Sequence, residues 1–212
     1  MLPIFRQGIF YTGWKNAILS LLLAGGVYLT SQIYALLNHG PAVLNLHTAL
    51  DSALPVVPVF VIPYVSLQPY IYATLILFLI FRTKYFQSTC LAMLTVWFIS
   101  YGFYYFLQSE VIRPVLTGTD IFSKMVMKVY AVDNPFNDFP SLHTSLSSLT
   151  AIHWIKVNKP VGIVLSIWTA LIVASTLLIK QHYIADLVFG LALAFGTAWL
   201  YIKLIVRKSA LD

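Results

Sequence analysis

The sequence predicts an all-α protein, a six-transmembrane helix bundle with an interfacial amphipathic helix before span four. Two observations lead to this prediction. Of the 212 residues, 59% are hydrophobic and 9% are charged, whereas an ordinary soluble domain carries about 25% charged residues. The apolar residues also form several stretches close to the ~20 residues needed to cross about 30 Å of hydrocarbon. We therefore expect residues 1–212 to form a single integral membrane domain in the lipid bilayer.

Six apolar segments have a length that suits a membrane span. The first follows Arg6 and Lys15 and shows no convincing cleavage site, so it is predicted to be a signal anchor that is not removed. Four prolines within residues 38–63 exclude one straight helix there and predict an interfacial or re-entrant segment. The predicted spans are residues 17–37, 64–81, 88–108, 141–155, 161–179 and 183–206.

Residues 109–140 differ from the predicted spans on either side because they contain many charged and amide side chains. Within them, Ile121, Met125, Met127 and Val129 suggest the apolar face of a short helix that lies at the membrane interface. This polar segment joins the third predicted span to the fourth. It is therefore expected to lie outside the hydrocarbon.

Charge and cysteine content exclude several other classes of function. The net charge is +6, but the basic residues form short pairs between apolar runs, as topology determinants do, so no nucleic-acid partner is predicted. Cys90 is the only cysteine, which rules out an intrachain disulfide and a thiolate metal cluster. Asp133 and Asp138 fall short of a full oxygen cage for calcium or magnesium. We predict no metal and no cofactor, and the oligomeric state stays open.

The distribution of lysine and arginine predicts which side of the membrane is cytoplasmic. Six spans put both termini on one side, and most basic residues fall on that side, which the positive-inside rule makes cytoplasmic. The polar segments and helix ends on the other side are then extracytoplasmic. The predicted cytoplasmic set is Arg6, Lys15, Arg82, Lys84, Lys156, Lys159, Lys203, Arg207 and Lys208, and the other set is Arg113, Lys124, Lys128 and Lys180.

Reactive side chains from distant parts of the sequence converge at the predicted extracytoplasmic helix ends. His182 and Asp186 are four residues apart, so on a helix they share a face. The carboxylate can then hold the proton of one imidazole nitrogen and leave the other nitrogen free to attack phosphorus. His143, in the first turn of the fourth span, is placed to donate a proton to a departing alkoxide. These three residues are the predicted catalytic groups.

Phosphate binding requires positive charge and hydrogen-bond donors. Arg113 offers a planar fork and Lys180 a point charge, although either cation alone also suits anchoring to lipid headgroups. Asp138 is predicted to cap the fourth span, which would leave backbone NH groups at the helix start as an anion site. The hydroxyl of the serine at the helix start adds one more donor. The predicted substrate-binding residues are Arg113, Ser141, Leu142, Ser175 and Lys180.

These motifs resemble the type 2 phosphatidic acid phosphatase superfamily. Its members carry Arg-Pro, then Pro-Ser-x-His, then Ser-Arg-x5-His-x3-Asp, and this chain has Arg-Pro at 113–114, Pro-Ser-Leu-His at 140–143, and Ser, His and Asp at 175, 182 and 186. The resemblance implies a metal-independent reaction through a phosphohistidine on His182. It also implies that Asp186 orients His182 and that His143 acts as acid toward the leaving group and then as base toward the acceptor.

Two positions depart from the family pattern. Phe106 stands where the first motif usually has lysine, and Thr176 stands where the third motif usually has arginine. Lys180 follows Thr176 by four residues and would share its face if the helix continues, so it is predicted to replace the missing arginine. The strings at 133–143 and 181–183 are more similar to the branch of inositol phosphorylceramide synthases and their bacterial relatives, which includes transferases.

We therefore expect a lipid phosphatase that acts on a lipid phosphate monoester or pyrophosphate at the extracytoplasmic face. The short outer loops suggest no pocket for a polar acceptor that would exclude water. Two alternatives stay open: a phospho-headgroup transferase of the inositol phosphorylceramide synthase type, and a non-enzymatic transporter or scaffold with a decayed site. The partner is expected to be a phosphorylated lipid, and the location the cytoplasmic membrane of a bacterium, with both termini cytoplasmic.

Overall fold

The computed structural model describes residues 7–207, and over this range the protein is all-helical, as predicted. Arg6 and Lys208 lie outside the described residues, as do both termini, whose predicted cytoplasmic location stays a prediction. A π-helical turn, Ile202–Arg207, continues the last helix. The α-helices are α1 (Trp14–Leu37), α2 (Ala49–Ala53), α3 (Val61–Val65), α4 (Leu67–Phe81), α5 (Thr83–Phe106), α6 (Ile121–Val132), α7 (Leu142–Val157), α8 (Lys159–Leu178) and α9 (Ile184–Tyr201).

Five helical segments within residues 7–207 are long and apolar enough to cross a membrane, which is compatible with a multi-pass membrane protein. Helix α7, the predicted fourth span, has 16 residues. It is therefore about 24 Å long, against about 30 Å of hydrocarbon. A sixth span stays a prediction. The five segments are Trp14–Leu37, Pro58–Phe81, Thr83–Phe106, Lys159–Leu178 and Ile184–Val206.

The second and third spanning segments begin earlier than the sequence predicts. A 3₁₀ turn, Pro58–Phe60, leads into α3 and α4, so this segment starts at residue 58 rather than 64. Proline is tolerated there because the first turn of a helix needs no NH from it. Residues 38–48 ahead of it are mostly non-helical, consistent with the predicted break, and α5 begins at Thr83 rather than at residue 88.

The short helix predicted around residues 121–129 is present as α6. Its N-cap is Asp120, whose carboxylate oxygen Oδ1 accepts from the NH groups of Phe122 at 2.9 Å and Ser123 at 3.1 Å. This cap satisfies two of the amides that a helix start leaves without partners. The location of α6 at a membrane interface stays a prediction.

Helix α7 lies at the centre of the bundle and packs against α5, α8 and α9. Two glycines allow close approach to it. A Cβ added at Gly162 would lie 2.4 Å from the backbone nitrogen of Ile155, and one added at Gly190 would lie 2.9 Å from the carbonyl oxygen of Ser141. Several buried hydroxyls along α7 bond to carbonyls one turn back, as Ser145 does to Ser141 at 2.8 Å, which satisfies polar groups that would otherwise be costly to bury.

The ends of several helices meet at one end of the bundle, which we call the site end. There the hydroxyl of Tyr104, on α5, donates to the carbonyl of Pro140 at 2.8 Å. The side-chain amide of Gln108 donates to the carbonyl of Leu37, the last residue of α1, at 2.8 Å. The site end therefore contains the carboxyl ends of α1 and α5 and the amino end of α7.

Candidate active site

His182 and Asp186 lie at the start of α9 and share a hydrogen bond. Nδ1 of His182 is 3.3 Å from Oδ2 of Asp186. The same oxygen accepts from the backbone NH of Tyr183 at 2.7 Å. Because an ionised carboxylate only accepts hydrogen bonds, Nδ1 carries the proton and Nε2 keeps its lone pair. The structure therefore brings together the two residues that the sequence predicts as nucleophile and orienting group.

The local geometry of this pair differs from the predicted shared helix face. Helix α9 begins at Ile184 with Tyr183 as its N-cap, so His182 precedes the helix and the two residues do not share a helix face. Asp186 is the third residue of the helix, and its bond to the N-cap amide is half of a capping box. This cap fixes the turn ahead of α9, and the turn brings the His182 ring to the same carboxylate oxygen.

His143 is the second residue of α7, in its first turn as predicted. Its ring centroid is 6.2 Å from that of His182, with an angle of 59° between the planes. The ring also stacks on Tyr64, with a centroid distance of 4.1 Å and an angle of 17°. Both imidazoles line one cavity. The two histidines are thus near enough to contact a single phosphate ester at the same time.

Helix α7 is capped by Ser141, and the prediction that Asp138 caps it is wrong. The Ser141 hydroxyl oxygen accepts from the NH of Thr144 at 3.2 Å, and the Ser141 NH donates to the carbonyl of Asp186 at 3.2 Å. The Asp138 carboxylate instead accepts from the hydroxyl of Ser109. Since the first amides of a helix have no intrahelical partner, the predicted anion site narrows to the NH groups of residues 142 and 143.

The guanidinium of Arg113 bonds to oxygens of the protein beside the histidines. One nitrogen donates to the carbonyl of Asp133 at 2.6 Å, and the other donates to the side chain of Gln181 at 2.5 Å and to the carbonyl of Asn134 at 3.2 Å. The guanidinium also stacks over the ring of Tyr130 at 4.8 Å. Arg113 thus ties residues 133–134 to the neighbour of His182. Its role as a phosphate fork requires exchange of these bonds and stays a prediction.

Lys180 does not continue the face of Thr176. Helix α8 ends at Leu178, and Lys180 has φ of 52°, a left-handed conformation that ends a helix. Lys180 and Thr176 therefore do not share a helix face, and the basis for predicting that Lys180 replaces the missing arginine is wrong. The Lys180 ammonium donates to the carbonyls of Asp51 and Leu54 at 2.9 and 2.7 Å. It holds the α2 region against the turn that carries His182.

The α2 region also caps the helix that follows this turn. Oδ1 of Asp51 accepts from the NH of Ile184 at 2.8 Å, and the ring of His47 contacts that of Tyr183 at 5.4 Å, edge to face. The irregular segment between α1 and α3 is thus fastened over the start of α9. It helps to position His182 without touching it.

Ser175 is buried and its hydroxyl is engaged within α8. The Ser175 hydroxyl donates to the carbonyl of Ile172 at 2.5 Å, and the Thr176 hydroxyl donates to the carbonyl of Val173 at 2.8 Å. Both residues are fully buried. The hydroxyl that the sequence predicts as a substrate ligand therefore has its bond inside its own helix.

Two buried carboxyls lie beside the histidines. Burial and the neighbouring charge of Asp186 raise the pKa of Asp138 to about 6. Burial also raises the pKa of Asp133, against the hydrogen bond from Tyr34 and the charge of Arg113. Negative charge at this edge of the site therefore grows with pH, which disfavours a doubly charged phosphate. Across residues 7–207, no three side chains of His, Cys, Asp or Glu form a group that could hold a metal ion.

A cavity of about 730 Å³ joins the two histidines to the outer surface of the helices. Its walls come mainly from α1 and α4, and most of the lining side chains are apolar. Tyr28, Tyr72 and Ile76 line it and are 62%, 53% and 56% exposed, respectively. The cavity therefore reaches the helix surfaces that would face hydrocarbon, and its inner end is at His143 and His182.

Three residues at the site were missed from the sequence. Nothing in the sequence distinguishes Tyr64 from the other tyrosines, of which the chain has 13 in all. Gln181 could have been suspected because it directly precedes His182. Asp51 is the only acid within residues 38–63, and an isolated acid in an apolar, proline-rich segment is a sign of a specific partner. Each of them contacts a predicted site residue or the start of α9.

Comparison with known proteins bears on the same end of the molecule. Residues 108–210 match a family model described as PAP2, the PAP2 superfamily. This range contains Arg113, His143, His182 and Asp186. No curated protein and no solved structure matches the chain. The family match supports a relationship to the type 2 phosphatidic acid phosphatase superfamily, whose members are phosphoesterases and phosphotransferases.

Proposed function

We propose that this protein is a membrane lipid phosphatase that hydrolyses a lipid phosphate monoester or pyrophosphate through a phosphohistidine on His182. One observation carries the proposal: both imidazoles lie at the inner end of a largely apolar cavity that reaches the lipid-facing helix surface. The family match supports phosphate-ester chemistry. The cavity supports a substrate with an apolar tail, because a soluble phosphate would need no such groove.

In the proposed first step, Nε2 of His182 attacks phosphorus. The N–P bond forms as the bond between phosphorus and the lipid oxygen breaks, and His143 gives its proton to that oxygen. Asp186 keeps the proton on Nδ1 and offsets the positive charge that the ring gains. Arg113 and the NH groups at the start of α7 stabilise the charge on the non-bridging oxygens.

In the second step, His143 takes a proton from water and the water oxygen attacks phosphorus. The N–P bond breaks, inorganic phosphate is released and His182 recovers its lone pair. Because the same imidazole gives a proton in one step and takes one in the next, it is back in its starting state after each cycle. No metal is needed in this sequence of steps.

The proposed orientation follows from the charges at the two ends of the bundle. Lys84 donates to the side chain of Asn16 at 3.2 Å, and Tyr85 donates to the carbonyl of Lys156 at 3.3 Å, so these basic residues lie together away from the site end. Excess basic residues mark the cytoplasmic side. The site end is then extracytoplasmic, and a bacterial cytoplasmic membrane is the proposed location.

A headgroup transferase is the second candidate, and the polar part of the cavity favours it. Ser31, Gln32, Asp133 and Asn137 line the cavity together with the histidines. These groups can bond to hydroxyls of an alcohol that would take the place of water. The first step is unchanged, and only the acceptor of the phosphoryl group differs.

One assay separates these functions. Purified protein is incubated with a panel of phosphorylated lipids, with and without inositol or another polyol, and both free phosphate and new lipid products are measured. We expect phosphate release, and we expect its loss in His182→Ala but not in His39→Ala, a matched change at an exposed histidine. New phospholipid products would support the transferase. The absence of both free phosphate and new lipid products in every condition would support a transporter or scaffold with a decayed site.

A further inference from the structure

The two histidines are oriented by different kinds of partner. His182 bonds to a carboxylate, Asp186, whereas the nearer of the two described ring contacts of His143 is a stack on Tyr64, 4.1 Å between centroids and 17° between planes. Offset-stacked rings lose energy when one of them rotates or slides. The plane of the His143 ring is therefore set by the tyrosine ring.

Tyr64 is itself held in place from three segments of the chain. Its hydroxyl lies 3.5 Å from Oδ2 of Asp133. The other oxygen of Asp133 accepts from the hydroxyl of Tyr34 at 3.0 Å and from the side-chain amide of Asn38 at 2.7 Å. Tyr64 is 6% exposed. The ring against which His143 lies is thus buried and fastened to α1, to the segment after α1 and to the end of α6.

We propose that Tyr64 is a positioning residue for His143, holding the imidazole in the plane from which it donates its proton to the leaving group; this rests on the proposed function. A second effect supports the role. The acid form of His143 is a cation, and a cation over an aromatic face is stabilised. Tyr64 lies outside residues 108–210, the range that matches the PAP2 superfamily.

The test uses two substrates that differ in their need for an acid. An alkyl phosphate releases an alkoxide that must be protonated, whereas a nitrophenyl phosphate releases a stable anion that needs no proton. Formation of the phosphoenzyme is measured in a single turnover with radiolabelled phosphate. The variants are Tyr64→Phe, which keeps the ring, and Tyr64→Leu, which removes it. Tyr72→Leu is the matched control, because Tyr72 lines the same cavity.

We expect Tyr64→Leu to slow phosphoenzyme formation from the alkyl phosphate about tenfold or more, part of the contribution of a general acid, and from the aryl phosphate less than threefold. Tyr64→Phe should restore most of the alkyl rate, and Tyr72→Leu should change the two rates by the same factor. Equal losses on both substrates in Tyr64→Leu would overturn the proposal, because they indicate a structural defect. No loss on either would overturn it as well.

A second measurement does not depend on turnover. Diethyl pyrocarbonate acylates neutral imidazole, and mass spectrometry of the labelled peptide reports the rate at His143. We expect severalfold faster labelling in Tyr64→Leu than in Tyr64→Phe. If the wild type forms no phosphoenzyme, the proposed function fails and the positioning role of Tyr64 in it fails as well. If Tyr64→Leu is active and is labelled at the wild-type rate, only the positioning role is overturned.

Discussion

Replacing Asp186 by asparagine tests the centre of the proposed mechanism. The carboxylate oxygen that contacts His182 also accepts from the amide of Tyr183, the N-cap of α9. Asparagine retains one carbonyl oxygen of the same shape, so the cap can persist while the negative charge is lost. The variant thus separates electrostatic stabilisation of His182 from simple support of the helix start.

The expected magnitude follows from the distance. When His182 is phosphorylated on Nε2 and keeps its proton on Nδ1, the ring becomes positively charged. At 3.3 Å from the carboxylate oxygen, the attraction is about 5 kcal/mol at an effective dielectric constant of about 20. Water and the remaining amide dipole compensate part of this. We therefore expect kcat to fall on the order of 10³-fold, which is about 4 kcal/mol of barrier.

The assay is phosphate release from a lipid phosphate in detergent micelles, with thermal unfolding measured on the same samples. Asp51→Asn is the matched control. Asp51 bonds to the amide of Ile184 at 2.8 Å, so it supports the same helix start, but its described contacts do not include the His182 ring. We expect Asp51→Asn to stay within a few-fold of wild type. Wild-type kcat in a folded Asp186→Asn variant would refute the assignment of Asp186.

Three further changes test the packing and the charges at the site. In Gly190→Leu, the new Cβ would lie 2.9 Å from the carbonyl oxygen of Ser141. The side chain should displace α7 and lower activity about 10²-fold. Gly196→Leu is the control and should leave activity unchanged, because a Cβ there meets nothing within 4 Å. Lys180→Met should lower both Tm and activity, since it frees two carbonyls of the α2 region; unchanged activity would exclude Lys180 from the site. Burial raises the pKa of Asp138 from 3.8 to about 6 in the folded protein. The protonated carboxyl therefore contributes its full stabilisation of the fold below about pH 4, and this contribution is lost as the pH rises through about 6. Tm should fall over that range, and less in Asp138→Asn.

The sequence was sufficient to predict an all-helical chain and a position for His143 in the first turn of a helix, because both depend on local chemistry. The six-span count and the roles of the histidines stay predictions. A long apolar run in lipid must form a helix to satisfy its backbone hydrogen bonds. The four-residue spacing of His182 and Asp186 correctly predicted that the two side chains are in contact, although a helix cap rather than a shared helix face brings them together. His143 in the first turn of α7 followed from the proline and serine ahead of it. Each of these features is determined within a few residues of chain.

Features that depend on long-range packing could not be predicted. Lys180 was assigned to phosphate binding on the assumption that the helix continues past Thr176. The helix ends before Lys180, and the left-handed conformation of Lys180 turns the chain away from the helix axis. Tyr64 reaches His143 across 79 positions, and no local pattern marks that contact. The cap at Ser141 rather than Asp138 depends on Ser109, which binds Asp138 from a distant segment. Sequence spacing carries no information on such contacts.

Under the proposed function, the cavity would select its substrate differently from a pocket in a soluble enzyme. A lipid tail that moves from the bilayer into the groove exchanges one apolar environment for another, so the usual ~0.8 kcal/mol per buried CH₂ does not apply. The proposed substrate then binds mainly through its phosphate and its high local concentration in the membrane. The rate should therefore follow the mole fraction of lipid phosphate in mixed micelles at constant bulk concentration. It should change less than threefold between tails of 12 and roughly 18 carbons, and a steady rise with each added CH₂ would contradict this account.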